Sequence, residues 1–266
     1  MENRILPREV RKIILTQARR ANVGHIGSAL SIVEILAALY GGCMSIANPH
    51  DPQRDRFILS KGHSALALYA ILFLRGFISE ALLATYCSDG SHLGTHPERR
   101  VVGIDFASGS LGQGLSFGAG SGLAARMQGS SRRVFVLLSD AECNEGSVWE
   151  AAMFAAHHRL SNLVAIVDVN GQQATGYTRD VLDLSPISEK WQAFGWDIHA
   201  VDGNDLHQVT HVLNTLDAGT GKPQVLIANT VFGKGVSFME GQIRWHYLPL
   251  SEDEFQQALT EIASAD

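Results

Sequence analysis

Two oxygen-bearing side chains stand where two apolar runs stop. Arg133–Ser139 reads R-V-F-V-L-L-S and Asn162–Val169 reads N-L-V-A-I-V-D-V. Each is the continuous apolar run expected of a strand covered on both faces. Asp140 lies just past the first run, and Asn170 follows the second directly. In open α/β sheets ligands bind beyond the carboxyl ends of the strands. A carboxylate beside an amide oxygen suits a hard divalent cation, which takes oxygen ligands and keeps places for water or phosphate oxygens. The backbone amides after Asp140 open a helix N-terminus, a favoured seat for a diphosphate. Taken singly, Asp140 reads equally well as a helix cap and Asn170 as a turn residue. Their matched placement points to a cation and a bound phosphate ester.

Histidine supplies the second constellation. His25 sits in the turn Gly24-His25-Ile26-Gly27, His63 at a strand end in Lys61-Gly62-His63, His96 in a long loop, and His246 beyond Gly233 and Gly235. A lone loop histidine is usually a surface or packing residue. Four at positions that a doubly wound sheet brings to one edge suggest recognition of hydroxyls and phosphates, with proton movement near neutral pH.

These residues need elements to hold them. Pro7 opens a helix with Val10, Ile13, Ile14 and Ala18 on one face. After the glycine turn a second helix is predicted over Leu30–Tyr40, closed by Gly41-Gly42. A strand over Arg56–Ser60 leads to a helix over Ser64–Leu74. The segment from Tyr86 to Gly103 lacks periodicity and reads as a loop long enough to be functional. A helix is predicted over Gly109–Met127, although Gly112, Gly114, Gly118, Gly120 and Gly122 weaken it. Such glycines make sense where another backbone packs very close, and a partner chain is the expected occupant of that flat face. Strand Arg133–Ser139, helix Ser147–His157 and strand Asn162–Val169 form a parallel unit with a right-handed crossover. Helix Ile187–Phe194, strand Trp196–Val201, helix Asp205–Leu216, strand Gln224–Thr230 and a helix from Ser251 complete the pattern. The expectation is one α/β domain over 1–266, with a doubly wound, mainly parallel sheet flanked by helices.

Composition narrows the function classes. The net charge of −6 disfavours nucleic-acid or anionic-membrane binding as a property of the whole surface. The longest uncharged apolar runs fall short of the roughly 18 residues of a membrane span. Charged residues make up only 18%, against about 25% typically, so part of the surface is expected to be covered. Cys43, Cys87 and Cys143 have no metal-ligand spacing and read as buried thiols of a reducing cytoplasm.

At the level of motifs the chain resembles the N-terminal, diphosphate-binding region of transketolases, and more closely the separate N-terminal subunit of split bacterial transketolases. The resemblance runs from about Ile13 to Phe255. It rests on Gly24-His25-Ile26-Gly27-Ser28, Leu59-Ser60-Lys61-Gly62-His63, Gly109-Ser110-Leu111-Gly112-Gln113-Gly114, Glu145-Gly146-Ser147-Val148-Trp149-Glu150 and Trp245-His246. The segment from Ser139 to Gln172 is similar to the family's thiamine-diphosphate signature.

The resemblance implies a thiamine diphosphate cofactor with Mg²⁺ or Ca²⁺ held by the side chains of Asp140 and Asn170 and the backbone carbonyl of Gln172. It places Ser28, Lys61, His63, Gly109, Ser110, Leu111, Ala141 and His246 about the cofactor. His25, His63, His96 and His246 would surround a sugar or sugar-phosphate donor. Glu145 and Glu150 would join an acidic relay between paired active sites. Two positions depart from the family. Ser139-Asp140-Ala141 replaces G-D-G, putting a methyl where backbone should approach the diphosphate, and Tyr247 replaces the glycine usual after Trp-His.

The glutamate that activates the cofactor belongs, in the family, to a pyrimidine-binding domain that these residues do not include. The expectation is therefore half an active site, completed by a C-terminal transketolase subunit in a complex with two copies of each chain. The leading reading is transfer of a two-carbon ketol unit from a ketose to an aldose, both expected to be phosphorylated. The alternatives are a subunit of another thiamine-dependent enzyme, of deoxyxylulose-phosphate-synthase or 2-oxoacid-decarboxylase type, or a non-catalytic paralogue.

Overall fold

The computed structural model describes residues 5–216 and 218–264; the outermost ends of the expected 1–266 domain lie outside them. The helices are α1 Pro7–Ala21, α2 Ile26–Leu30, α3 Val33–Ala38, α4 Ala65–Leu74, α5 Glu80–Leu83, α6 Gly114–Met127, α7 Gly146–His157, α8 Thr178–Val181, α9 Ile187–Ala193, α10 Leu206–Thr215 and α11 Glu252–Ser264. The strands are β1 Arg56–Leu59, β2 Val134–Ser139, β3 Leu163–Val169, β4 Gln172–Gln173, β5 Gly176–Tyr177, β6 Asp197–Asp202 and β7 Gln224–Asn229. Five strands form one parallel sheet in the order β1-β2-β3-β7-β6, and β4 and β5 make a small antiparallel ribbon beyond β3.

Successive residues of a strand face opposite sides, and the core divides accordingly. Phe57, Leu59, Phe135, Leu137, Val164 and Ile166 turn towards the helical layer containing α1, α3, α4 and α10. Ile58, Val136, Leu138, Ala165 and Val167 turn the other way, towards α6, α7 and the paired Trp191 and Trp196. Both faces of β2 and β3 are covered, as their apolar runs require. The register sets Ser139 opposite Asp168, so both strands reach the same edge together. That edge carries Lys61, Asp140, Asn170 and Thr230, just past the ends of β1, β2, β3 and β7.

The predicted order of strands and helices holds, with three local corrections. The helix expected over Leu30–Tyr40 begins earlier, at Ile26, and α3 ends at Ala38 in a wide turn over Leu39–Cys43. Gly27 lies inside α2 because the Phe232 ring occupies its side-chain position: a Cβ there would lie 2.1 Å from the ring. The glycine-rich helix starts at Gly114 rather than Gly109, since Gly112 takes a φ of 84° and residues 109–113 form a turn.

The third correction concerns the face of that helix. A Cβ on Gly114 would meet Ser60 at 2.2 Å, and one on Gly118 would meet Val136 at 2.4 Å. At Gly114 and Gly118 the close approach is thus made to the chain's own sheet. Phe117 lies on the exposed side of α6. None of the described helices is long and apolar enough to cross a membrane.

Candidate functional site

The carboxyl edge of the sheet gathers charged groups that would ordinarily stay in water. Asp140 is 5% exposed. Its Oδ1 accepts from the Ala141 N–H at 2.8 Å and its Oδ2 from the Gly171 N–H at 2.8 Å. The second bond draws the loop bearing Asn170 and Gln172 onto Asp140. Burial, reinforced by the nearby Asp168 carboxylate, pushes Asp140 up to about 7 despite those two N–H donors. Lys61 acts on it through space in the opposite sense, but no Lys, Arg or His among the described residues forms an ion pair with Asp140.

Asn170 is fixed at both ends of its amide. Its Nδ2 donates to Asp168 Oδ2 at 2.8 Å, and its Oδ1 accepts from the Gln172 N–H at 3.0 Å. The Gln172 side-chain oxygen is buried without a partner. Among the described residues no cluster of three or more His, Cys, Asp or Glu side chains has the arrangement of a metal site. The candidate donor set is of another kind: one buried carboxylate, one amide oxygen and a backbone carbonyl, all hard oxygens. These residues fit a divalent cation, because a buried carboxylate without a counter-charge is what such an ion stabilises.

Three of the four histidines converge. The ring centroids of His25 and His63 are 5.6 Å apart, those of His25 and His246 5.3 Å, and those of His63 and His246 5.6 Å. The His25 N–H donates to the His246 carbonyl at 3.1 Å, joining the glycine turn to the Trp245-His246 turn. Close approach there requires Gly24, where a Cβ would lie 2.4 Å from the Tyr247 carbonyl oxygen. His63 Nε2 and Ser28 Oγ are 2.8 Å apart, and Ser28 Oγ and Ser64 Oγ 2.9 Å.

Burial is the first cause that lowers all three imidazoles. His63 falls well below its ordinary value, helped by Lys61, and His246 falls to about 4, helped by His25. In His25 the second cause is His96. At neutral pH the rings of His63 and His246 are uncharged, each with one donor and one acceptor nitrogen. His246 Nδ1 is buried without a partner.

His96 makes no ring contact with the trio but is near enough to lower His25 and His63. It is exposed and lies against Gly109, where a Cβ would come 3.2 Å from the imidazole. Gly109 and Ser110 line a cavity of about 570 Å³ together with His96, Ser108 and Phe117. Leu111 follows, next to Gly112. Tyr247, exposed and 5.2 Å from the His246 ring centroid, donates its hydroxyl to the Ala174 carbonyl. It thereby ties the histidine turn to the ribbon after Asn170.

Glu145 and Glu150 are exposed around the start of α7, and neither forms an ion pair among the described residues. Two buried acids close by escape a reading of the sequence. Glu142 is fully buried; its Oε1 accepts from Ser60 Oγ at 2.5 Å and the Gly112 N–H at 2.7 Å, and its Oε2 from the Ser139 N–H at 3.3 Å. It clasps three of the sequence motifs together. Asp168, also fully buried, pairs with Lys61 and accepts from Ser31, Asn170 and Thr230. For Asp168 the available signal is an acid inside an otherwise apolar strand run, since a charge there must be compensated.

Known proteins match this architecture. Residues 3–264 fit the family described as "Transketolase, thiamine diphosphate binding domain". A 6-deoxy-6-sulfo-D-fructose transketolase subunit from Clostridium sp. (strain MSTE9) is 42% identical over 256 residues, covering 95% of this chain and 93% of that protein. An apulose-4-phosphate transketolase subunit from Actinobacillus succinogenes is likewise 42% identical over 256 residues, covering 95% and 92%. The solved transketolase of Campylobacter jejuni superposes with a TM-score of 0.87 at 27% identity, over 98% of this chain but 42% of that one. The chain spans about two-fifths of the length of such solved transketolases.

Proposed function

The chain belongs to the transketolase family through its thiamine diphosphate binding domain, and we propose that it is the diphosphate-anchoring subunit of a two-chain ketol transferase. The reaction would move a two-carbon ketol unit from a ketose to an aldose, both phosphorylated. Relatives matched over more than nine-tenths of their own length are named as transketolase subunits, which supports a second polypeptide carrying the pyrimidine-binding domain. We place the whole of 1–266 in one domain, in a complex with two copies of each chain. The free thiols Cys43, Cys87 and Cys143 fit the cytoplasm.

When bound, thiamine diphosphate supplies the electron sink that lets a carbon–carbon bond next to a carbonyl break and re-form. The chain's own part is anchoring and recognition. Asp140 and Asn170, with the Gln172 carbonyl, would hold Mg²⁺ or Ca²⁺ against the diphosphate, a charge that screens the phosphates from the carboxylate. Backbone near Ala141 and at Gly109, Ser110 and Leu111, with Ser28, His63 and His246, would wall the cofactor cleft. The neutral rings of His63 and His246 would exchange hydrogen bonds with donor hydroxyls and carbonyl, with His25 and His96 completing that shell. Glu145 and Glu150, free on the surface, suit a relay that crosses an interface.

The observation that carries this reading is the Gly171 N–H on Asp140, which brings the cation loop and the buried carboxylate into one place. Calorimetric titration of thiamine diphosphate into the complex with the C-terminal subunit tests it. Binding should require Mg²⁺ and disappear on EDTA treatment. Full affinity after chelation would contradict the cation site.

A further inference from the structure

Lys61 lies in one of the motifs that resemble the family, yet its ammonium group faces away from any open space. The side chain is fully buried, in an ion pair with Asp168 whose side chain is also fully buried. The other acceptors of Nζ are the Ser28 carbonyl at 3.3 Å and Ser31 Oγ at 3.5 Å. A lysine ammonium has three hydrogens, and three acceptors within the wall of the site use them.

Asp168 is equally saturated. Its Oδ2 accepts from Lys61, from Ser31 Oγ at 2.8 Å and from Asn170 Nδ2 at 2.8 Å, and its Oδ1 accepts from Thr230 Oγ1. The pair therefore joins four pieces of chain: the end of β1 through Lys61, α2 with Ser28 and Ser31, the end of β3 with Asn170, and the end of β7 with Thr230. On the α2 side it pins the carbonyl of Ser28, whose hydroxyl meets His63. On the other side it holds Asn170 by the nitrogen, while Oδ1 accepts from the Gln172 N–H at 3.0 Å and keeps a second lone pair for a cation.

We propose that Lys61 and Asp168 are positioning residues, which orient the Asn170 amide for the cation and lock Ser28 and His63 to the same frame from behind. Neither touches cofactor or substrate. The inference rests on the cation reading above and assigns Lys61 a place in the wall rather than in the cleft. A free asparagine amide can present nitrogen or oxygen to a cation, and only oxygen binds. A carboxylate can only accept, so Asp168, fixed by Lys61, Ser31 and Thr230, takes the Nδ2 end of the amide and, with the Gln172 N–H on Oδ1, selects the productive orientation. Partners behind metal ligands commonly carry about 10–100-fold in metal affinity.

The test measures the Mg²⁺ concentration that gives half-maximal thiamine diphosphate binding, by calorimetry on the complex with the C-terminal subunit. Thermal unfolding of each variant is followed in parallel. Single removal of either charge would strand the other in the core, so the pair is replaced together. Asp168→Leu with Lys61→Met fills the space but leaves Asn170 without its acceptor, and should raise the Mg²⁺ midpoint about tenfold or more. Asp168→Asn with Lys61→Met restores an acceptor for Asn170 and should return the midpoint to within about threefold of the parent. Thr230→Val, which loosens one carboxylate oxygen and keeps both charges, should raise it about threefold, and serves if the leucine double variant does not fold. A purely structural pair would lower the unfolding temperature of the variants without moving the midpoint, and that result would overturn the proposal. Absence of Mg²⁺-dependent binding by the parent complex would instead overturn the cation reading beneath it.

Discussion

The two ends of the parallel sheet both hold acids out of open water, fully buried or half-buried, and they treat them in opposite ways. At the amino end, Asp105 accepts from Arg54 Nη1 at 2.9 Å and Nη2 at 2.7 Å, and from the Phe57 N–H at 3.1 Å. Asp55 beside it accepts from the Ser45 N–H at 3.0 Å and from the Arg133 N–H at 2.7 Å and Nη2 at 3.1 Å. Each carboxylate there has a guanidinium and at least one backbone donor. At the carboxyl end Asp140 and Glu142 have backbone and hydroxyl donors but no cation of their own, and the one buried lysine among the described residues is committed to Asp168. An acid matched to an arginine secures loops. Glu142 spends its acceptors on clasping the motifs together, and Asp140 is the acid that a cation would complete.

The comparison is broken most severely by exchanging the fates of the two ends. Asp140→Ala should abolish measurable Mg²⁺-dependent cofactor binding, a loss of about 100-fold or more, while the chain stays folded. Asp105→Ala should do the reverse. Leaving Arg54 buried without its partner costs about 3–5 kcal/mol of stability, visible in denaturant unfolding, but the folded fraction should bind the cofactor within about twofold of the parent. Equal losses of affinity from both substitutions would erase the distinction.

The glycines of α6 sharpen the comparison at a smaller scale. Gly118→Ala drives a methyl into Val136, against the sheet, and should destabilise by about 1–3 kcal/mol. Gly120 has open space where its Cβ would be, so Gly120→Ala should stabilise by about 0.5–1 kcal/mol through helix propensity alone. Chemical denaturation of the two variants checks both signs.

Most of this frame is legible in the sequence because apolar runs, glycine turns and caps are local signals. Asp140 and Asn170 can be placed at matched strand ends, and His25, His63 and His246 do meet. What the sequence hides is contact between distant segments. The orientation of Gly114 and Gly118 depends on which neighbour comes close, and a glycine stripe looks the same whether it faces a partner or its own sheet. Glu142 and Asp168 are hidden for a related reason: their partners Ser60, Gly112, Lys61 and Thr230 lie in other segments, so their burial follows only from the assembled edge. Gly112 breaks the predicted helix because a positive φ is a choice of tertiary context, which glycine permits and does not demand.

The histidine cluster gives the most gradual effect. His246 is held neutral down to about pH 4, whereas in the unfolded chain it protonates near its ordinary value of 6.5. Between those values the unfolded state binds the extra proton, so stability falls as pH drops from about 6.5 to about 4 and is unaffected by this group above 6.5. The slope is about 1.4 kcal/mol per pH unit for one such group. His246→Gln should remove about one proton from the pH dependence of unfolding in that window, read from denaturant midpoints at half-unit intervals. His63, lowered for the same first reason, supplies a residual slope that persists in the variant.

In the function proposed above, this chain anchors the cofactor and turnover needs a second polypeptide. The direct measurement is release of the aldose product from a ketose phosphate, with excess thiamine diphosphate, Mg²⁺ and an acceptor aldose. It is made first with the homogeneous chain and then after stepwise addition of the C-terminal subunit. No turnover is expected from the chain alone, and activity should rise with added partner until the two chains are equimolar. Sustained turnover by the chain by itself would contradict that proposal, because the acid that activates the cofactor would then have to lie among these 266 residues.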